Sequence, residues 1–187
     1  MIRLARADDV SAVAKIYEHI HDGEEAGKTS IGWIRGVYPT EGTALAAFSR
    51  GELYVADDGG TVTAAAIINR TQVDCYRLCD WRYAANDGEV LVLHTLVVEP
   101  ALSRSGVGTG FVGFYEELAK KLGCTVLRMD TNEKNSAARA LYKKLGYIES
   151  GIVPCVFNGI PDVMLVCLEK KSGSVSIVGA TASPLIG

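Results

Sequence analysis

One segment of the chain, Val90–Val98, reads VLVLHTLVV and is apolar except for one histidine and one threonine. A continuous apolar strand is typical of the centre of a sheet, where both faces are covered. The pair Glu99-Pro100 ends this strand, because proline has no backbone N–H to donate to a neighbouring strand. We therefore expect a chain that packs layers of helices and loops around a buried sheet.

The apolar periodicity on either side of this strand predicts the order β-α-α-β-β-β-α-β-α-β-β, a mixed α/β fold around one twisted sheet. Strands are predicted at 2–4, 53–56, 61–69, 90–98, 125–130, 147–157 and 162–168. Helices are predicted from Asp8, near 44–49, around 111–122 and over 135–145. The sequences DDGG at 57–60 and NG at 158–159 are typical of β-hairpin turns, because these residues accept a positive φ. The segment Asp74–Asp87 has little periodicity and is predicted to be an ordered loop over the sheet.

Length and charge exclude several classes of protein. The 187 residues suit one domain, predicted over 1–170, followed by a tail over 171–187. A net charge of −3 and a pI near 5.6 give no basic surface for a nucleic acid. No run approaches the roughly 18 apolar residues of a membrane span, and the N-terminus lacks the apolar core of a signal peptide. In the tail, Val175, Ile177 and Val178 either dock as an edge strand or belong to a disordered segment.

The cysteines indicate a reducing compartment. There are five of them, an odd number, and most lie within apolar runs, as reduced core cysteines do. Cys75 and Cys79 lack the second pair of ligands that a zinc site needs, so no metal is expected. The predicted location is the cytoplasm.

A glycine-rich turn, SRSGVGTG at 103–110, lies between the buried strand and an amphipathic helix. The first N–H groups of a helix have no internal partner, and the helix dipole is positive there, so a pyrophosphate can accept several of these donors. Glycine lets the backbone approach phosphate oxygens, and Arg104 can add a charge-assisted bond. A plain strand-to-helix turn is the alternative. Two other phosphate motifs fit poorly, because Gly108 lacks the following Lys of a Walker A loop and Phe111 stands where the third glycine of a dinucleotide motif belongs.

The turn and a second motif carry a family resemblance. The sequence SRSGVG at 103–108 resembles the acetyl-CoA-binding motif of the GNAT superfamily of N-acetyltransferases, usually Gln/Arg-x-x-Gly-x-Gly/Ala. Downstream, NSAARALYKKLGY at 135–147 is similar to the family's Asn-x-x-Ala-x-x-Leu-Tyr followed by Gly-Phe/Tyr. Ser103 departs from the usual Gln or Arg, and Arg104 is expected to compensate.

The resemblance implies a fold, a co-substrate and its contacts. The fold is a GNAT-like mixed, mostly antiparallel central sheet flanked by helices, with a splay between the fourth and fifth strands. Acetyl-CoA is the co-substrate, and its pantetheine arm pairs with the end of the central strand. The implied cofactor contacts are Leu96, Val97, Val98, Arg104, Ser105, Gly106, Val107, Gly108, Thr109, Asn135 and Tyr142. From the sequence alone, Asn135 is also a helix cap.

Amide formation from an amine needs a base for the ammonium proton and an acid for the departing thiolate. Tyr142 matches the family tyrosine that points at the cofactor sulfur and is predicted to be the acid; by periodicity alone it is a core aromatic. Glu89 is a candidate base, because many GNAT enzymes use a strand glutamate, although at the start of its strand it can also be solvated. Water is a further candidate.

His94 is the leading candidate base. A histidine inside an apolar strand is unusual, and its pKa can lie near the working pH. The sequence LHTLVV at 93–98 also resembles the Leu-His-Ser-Leu-Ala-Val strand of arylalkylamine N-acetyltransferases, where a strand histidine acts as base through water. Val92 stands where those enzymes have a second histidine, so any relay is shorter. A satisfied core histidine remains the alternative.

GNAT acceptor sites are built by segments that here correspond to 24–40, 74–87 and 153–162. Their aromatic and acidic residues suit a cationic amine. These residues are Trp33, Tyr38, Tyr76, Trp81, Tyr83, Phe157, Glu24, Glu25, Asp80 and Asp87. The sequence thus predicts an N-acetyltransferase that acts on a primary amine of a small molecule, peptide or protein by direct attack in a ternary complex. The alternative is a non-catalytic CoA-binding module; a homodimer is possible, and the acceptor and acyl chain length are open.

Overall fold

The computed structural model describes residues 1–173, and in this region the predicted order of strands and helices is confirmed. The strands are β1 (Ile2–Leu4), β2 (Leu53–Asp58), β3 (Thr61–Asn69), β4 (Val90–Val98), β5 (Val126–Asn132), β6 (Ile148–Phe157) and β7 (Ile160–Lys171). The helices are α1 (Asp9–Glu25), α2 (Glu41–Ser49), α3 (Val107–Lys121) and α4 (Ser136–Lys144). Short 3₁₀ helices occupy Asp74–Leu78, Asp87–Glu89 and Pro100–Leu102.

The strands form one mixed sheet in the order β1-β2-β3-β4-β5-β7-β6. Every neighbouring pair is antiparallel except β4 and β5, which run parallel. The chain crosses between these two strands through α3, which is long enough to span the sheet. The predicted mixed, mostly antiparallel sheet is therefore correct.

The central strand is buried on both faces, as its apolar sequence predicts. Leu91 and Leu93 pack in the cluster that contains Phe111 and Tyr115 of α3. Val90 and Val92 point to the other face and pack in the cluster that contains Tyr76 of the segment over the sheet. The α1 and α2 helices cover the first strands of the sheet, where their apolar faces meet β2 and β3. The sheet therefore has a continuous layer on each side.

Several element boundaries differ from the sequence prediction by one to four residues, among them the start of α2 and the end of β7. The α2 helix begins at Glu41 rather than near residue 44, because Thr40 accepts a hydrogen bond from the N–H of Thr43 at 3.3 Å and returns one from its own N–H at 3.1 Å to the Thr43 hydroxyl. The final strand extends to Lys171, one residue into the predicted tail. The suggested edge strand at 175–178 lies outside the described residues. Within residues 1–173, no helix is long and apolar enough to cross a membrane.

The hydroxyl of Tyr115 ties β4 to β5. It lies 2.6 Å from the carbonyl oxygen of Leu91 on β4 and 3.0 Å from that of Arg128 on β5, in a fully buried position. We expect Tyr115→Phe to lower the free energy of unfolding by about 1–3 kcal/mol, because the one buried hydroxyl proton that the two carbonyl oxygens share is lost. Urea unfolding measures the change. Tyr54→Phe is the control, since the Tyr54 hydroxyl has no hydrogen bond within residues 1–173; equal effects of the two substitutions would contradict the assignment.

Candidate active site

The central strand separates from its parallel neighbour halfway along its length. Pairing between β4 and β5 runs from Val90 opposite Val126 to Leu93 opposite Met129 and stops there. Beyond this point β4 stays with β3, and β5 stays with β7 as far as Asn132. The backbone edge of β4 from 94 to 98 therefore has no strand on the side of β5. The predicted splay between the fourth and fifth strands is confirmed.

A β-bulge lies at the point where the strands separate. Ile67 of β3 faces His94, but Ala65 faces Val97, so β4 has one residue more than β3 in this interval. Thr95 takes a φ of 51° here, which is uncommon for a β-branched residue. A bulge bends its strand and raises the local twist, so this residue directs the end of β4 away from β5. The Thr95 hydroxyl is held by the hydroxyl of Tyr38.

The glycine-rich turn presents unpaired backbone donors. Gly106 caps α3 with a φ of 92°, and Arg104 takes a φ of 63°. Among the described residues, the N–H groups of Arg104 and of residues 106–109 have no acceptor, whereas the N–H of Ser105 donates to the Leu102 carbonyl at 3.2 Å. Five of the six predicted donors in 104–109 are therefore free at the positive end of a 15-residue helix.

A groove of about 460 Å³ connects this turn to the open edge of β4. At one end it is lined by Arg104, Gly106 and Thr109, and along its length by Leu96–Val98. Trp33 and Leu141 add apolar walls. The groove therefore joins an anion-binding end to a largely apolar channel beside unpaired strand backbone, which fits a diphosphate followed by a pantetheine arm.

Tyr142 faces a narrow cavity of about 60 Å³ inside the splay. Leu96 lines both this cavity and the groove, so the two are adjacent. The tyrosine is 6% exposed, and its hydroxyl has no hydrogen bond within residues 1–173, yet it is not sealed from solvent. Burial, reinforced by the charge of Asp130, raises the pKa of Tyr142, so the phenol stays protonated. Asn135 lines the same cavity and caps α4, accepting from the N–H of Ala138 at 3.1 Å.

Asp130 lies in this cavity as well, and the sequence prediction missed it. It follows the last residues of β5 that pair with β4, so its carboxylate enters the splay. The hydroxyl of Tyr76 donates to it at 2.7 Å, and burial raises its pKa to about 6. In the sequence, Asp130 is the last residue of a strand predicted over 125–130, and nothing there shows toward which side of the sheet its carboxylate points.

His94 lies in a second cavity, of about 780 Å³. The Tyr38–Phe157 aromatic pair stands between this cavity and the one that contains Tyr142. Its Nε2 is 3.1 Å from both the Asn69 side-chain oxygen and the Thr71 carbonyl. The Asn69 amide is oriented unambiguously, because its nitrogen donates to the Glu52 carboxylate at 3.1 Å and its oxygen accepts the N–H of Thr71 at 2.9 Å.

The proton of neutral His94 therefore resides on Nε2, and Nδ1 keeps its lone pair. Nδ1 has no partner within residues 1–173 and is not sealed from solvent. The sequence predicts a pKa near the working pH for His94, but burial lowers it to about 4, so the ring is neutral at physiological pH. The arrangement leaves Nδ1 as a free proton acceptor on a residue that lines the large cavity.

Comparison with known proteins agrees with this geometry. The sequence profile of the Acetyltransferase (GNAT) family matches residues 15–147. The chain belongs to the GNAT acetyltransferase family. A stretch of 75 residues is 31% identical to an uncharacterised N-acetyltransferase of Methanocaldococcus jannaschii; it covers 40% of this chain and 33% of that relative, so the match spans about a third of the relative's length.

Solved structures of GNAT proteins share the fold. An acetyltransferase of the GNAT family from Streptococcus agalactiae is 21% identical with a TM-score of 0.79, covering 93% of this chain and 96% of its own. The acetyltransferase yncA of Salmonella typhimurium, solved with acetyl-CoA, is 19% identical with a TM-score of 0.65, covering 96% of this chain and 98% of its own.

The remaining sequence-predicted residues of this GNAT protein are the second candidate base, Glu89, and the residues predicted to bind the acceptor. Glu89 belongs to the 3₁₀ helix before β4, and its carboxylate accepts from the Asn86 backbone and side chain, both at 2.9 Å. It lies five residues before His94, about 16 Å along the strand, and the structure gives it a capping role.

Of the predicted acceptor aromatics, Tyr38 and Phe157 line the large cavity, whereas Trp81 packs against Tyr76.

Three of the four predicted acceptor carboxylates have local partners in this protein. Glu24 accepts the N–H groups of Ile31 and Gly32, both at 2.7 Å, and Glu25 pairs with Arg35. Asp87 accepts the side-chain amide of Gln72 at 2.7 Å. None of the four predicted carboxylates is among the described residues that line the large cavity.

The raised pKa of Asp130 predicts a pH dependence of stability. Because the folded pKa of about 6 exceeds the ordinary value of 3.8, the folded state binds more protons between these values and loses stability as pH rises through this window. Asp130→Asn removes the effect and keeps an acceptor for Tyr76. We expect the variant to gain up to about 3 kcal/mol over the wild type between pH 4 and pH 7. Urea unfolding at each pH tests this, with exposed Asp58→Asn as control; parallel curves for Asp130→Asn and wild type would refute the buried carboxylate.

Proposed function

We propose that this protein transfers an acetyl group from acetyl-CoA to a primary amine by direct attack in a ternary complex. The observation that carries the proposal is the alignment of three features along one path: free helix N-terminal donors, an unpaired strand edge and a buried tyrosine hydroxyl. They lie in adjoining cavities in that order. A CoA thioester presents a diphosphate, a pantetheine amide chain and a sulfur in the same order.

Cofactor binding in this proposal rests on the backbone. The N–H groups of residues 106–109 and of Arg104 bind the diphosphate, and the Arg104 guanidinium adds a charge-assisted bond. Backbone contacts support binding of the diphosphate even though Ser103 stands in place of the usual Gln or Arg, because side chains supply few of the hydrogen bonds. The unpaired edge of Leu96–Val98 binds the amides of the pantetheine arm, as an added strand would. Acetyl-CoA supplies the activated acyl group.

Tyr142 acts as the general acid, and His94 and Asp130 act as general bases. The neutral phenol of Tyr142 donates a proton to the thiolate as the carbon–sulfur bond breaks. The lone pair on His94 Nδ1 accepts a proton released by the amine, directly or through water, from the acceptor side of the Tyr38–Phe157 pair. Asp130 is a second acceptor inside the splay, and its pKa of about 6 leaves it ionised at neutral pH. The Asp130 carboxylate and the His94 imidazole thus serve opposite sides of the same reacting centre.

A charge placed in the turn tests cofactor binding. Gly106→Glu puts a carboxylate where a diphosphate belongs, at a φ that disfavours any side chain. We expect acetyl-CoA to raise the melting temperature of the wild type and to leave that of Gly106→Glu unchanged. Gly113→Glu is the matched control, since Gly113 is an exposed position on the same helix with open space around it. An undiminished shift in Gly106→Glu rejects the phosphate site.

The acid is tested by removing one oxygen atom. Tyr142→Phe is expected to lower kcat at least tenfold while the Kd for acetyl-CoA changes little, because general acid catalysis contributes about 10²–10⁴-fold. Tyr147→Phe is the control, since this buried neighbour lies 6.1 Å away by ring centroid and its hydroxyl bonds to Glu116 at 3.2 Å. CoA release and calorimetry measure the two constants. Equal turnover of Tyr142→Phe and the wild type removes Tyr142 from the mechanism. A non-catalytic CoA-binding module is favoured by a different result, in which acetyl-CoA binds but no amine causes CoA release.

A further inference from the structure

The large cavity beside His94 has a composition that restricts what binds in it. Its walls come from α2, β3, the 3₁₀ helix Asp74–Leu78 and the β6–β7 hairpin. Part of the wall is apolar, formed by Ile67, Val73, Val156 and Phe157. The rest is polar, and the cavity meets the splay at Tyr38 and Phe157, which line both. An acceptor held here reaches the thioester past this aromatic pair.

Two arginines on separate elements border this cavity. Arg77 belongs to the 3₁₀ helix and Arg50 follows the last residue of α2. The Arg77 guanidinium forms no hydrogen bond or ion pair with any of the residues 1–173. Arg50 uses Nε to bind Glu52 at 2.8 Å, which leaves its terminal nitrogens free. Both side chains therefore retain donors for a ligand.

Two carboxylates lie at or near the cavity beside these two arginines. Asp74 is the one carboxylate among the described residues that line the cavity. Glu52 lies behind Asn69 and is already engaged by Arg50 and by the Asn69 amide. His94 is neutral, since burial lowers its pKa to about 4. Because Glu52 balances Arg50, the unpaired charges on the cavity wall are the Arg77 guanidinium and the Asp74 carboxylate. One free positive and one free negative group suit a zwitterion better than a simple cationic amine.

We propose that the acceptor is a free amino acid with an apolar side chain, and that Arg77 binds its carboxylate while the amine faces His94 and the splay. A planar guanidinium matches a carboxylate through two parallel hydrogen bonds, and the apolar wall takes the side chain. Asp74 offers a contact for the ammonium group before it loses its proton. The inference deepens the proposed function and rests on it for the chemistry, but not for the binding of the carboxylate.

Matched acceptor pairs test the anion. L-leucine, L-phenylalanine and L-methionine are each compared with their amides, which keep the amine and side chain and lack the charge. We expect kcat/KM for the free acid to exceed that for the amide at least tenfold. The amide amine is less basic and thus more often unprotonated, so chemistry alone favours the amide and the bias works against the proposal. Equal use of both members, or preference for the amides, overturns it.

Variants of Arg77 locate the contact. Arg77→Ala is expected to raise KM for the free acid at least tenfold, to leave KM for the amide within about twofold, and to be partly rescued by Arg77→Lys, which restores the charge without the paired donors. Arg82→Ala is the control, because Arg82 is exposed on the same segment but lines a different cavity. A loss that affects acid and amide alike, or one that Arg82→Ala reproduces, overturns the assignment.

A binding measurement separates this inference from the proposed function. N-acetyl-L-phenylalanine and its amide are titrated into the full-length wild type and Arg77→Ala in a calorimeter, with no acetyl-CoA present. If the acid binds more tightly than the amide and Arg77→Ala loses this difference, the carboxylate site is supported. This conclusion holds even if no amine causes CoA release, because that result rejects only the proposed acetyl transfer. Equal or absent binding of both compounds to the wild type overturns the carboxylate site whatever the turnover.

Discussion

The separation of β4 from β5 after Leu93 governs the rest of this molecule. A strand edge inside a protein carries N–H and C=O groups that need partners, and a neighbouring strand is the usual one. Here the bulge at Thr95 turns β4 away while β5 continues against β7. Below the gap, the Tyr115 hydroxyl ties the last paired stretch of β4 and β5 together. A ligand with its own amide groups is the natural partner for the edge that remains.

Each chemical group of the candidate site owes its state to burial. Desolvation disfavours the ionised form of both Tyr142 and His94, so it raises the pKa of the tyrosine and lowers that of the histidine. Asp130 is held ionisable near neutrality for the same reason. The chain Glu52–Asn69–His94 adds direction, since it fixes which ring nitrogen carries the proton. The fold thus sets the pKa values of Tyr142, His94 and Asp130 and the tautomer of His94.

The fold and the conformation of the turn before α3 were predictable because their signals are local. The apolar sequence of β4, the hairpin turn at Asn158-Gly159 and the glycine of the α3 cap each determine their own conformation. The splay followed from the family resemblance, and no residue pattern alone would have placed it.

Residues whose roles depend on distant neighbours were not predictable in the same way. Asp130 matters because β4 has departed at its position, and the His94 tautomer depends on Asn69, which is 25 residues away along the chain. The acceptor carboxylates Glu24, Glu25 and Asp87 looked available in the sequence, yet each is used by a backbone amide or side chain of its own region. Arginines at the cavity carried no pattern at all, because an exposed arginine on a loop is ordinary.

The central claim, that free amides of the α3 turn and the open edge of β4 bind a CoA diphosphate and pantetheine, is tested most directly by backbone amide chemical shifts. A ¹⁵N–¹H correlation spectrum recorded during titration with CoA should move the resonances of residues 104–109 and 96–98 and leave those of the distant hairpin at 57–60 in place. Shifts confined to the cavity beside His94, or none at saturating CoA, would contradict the account.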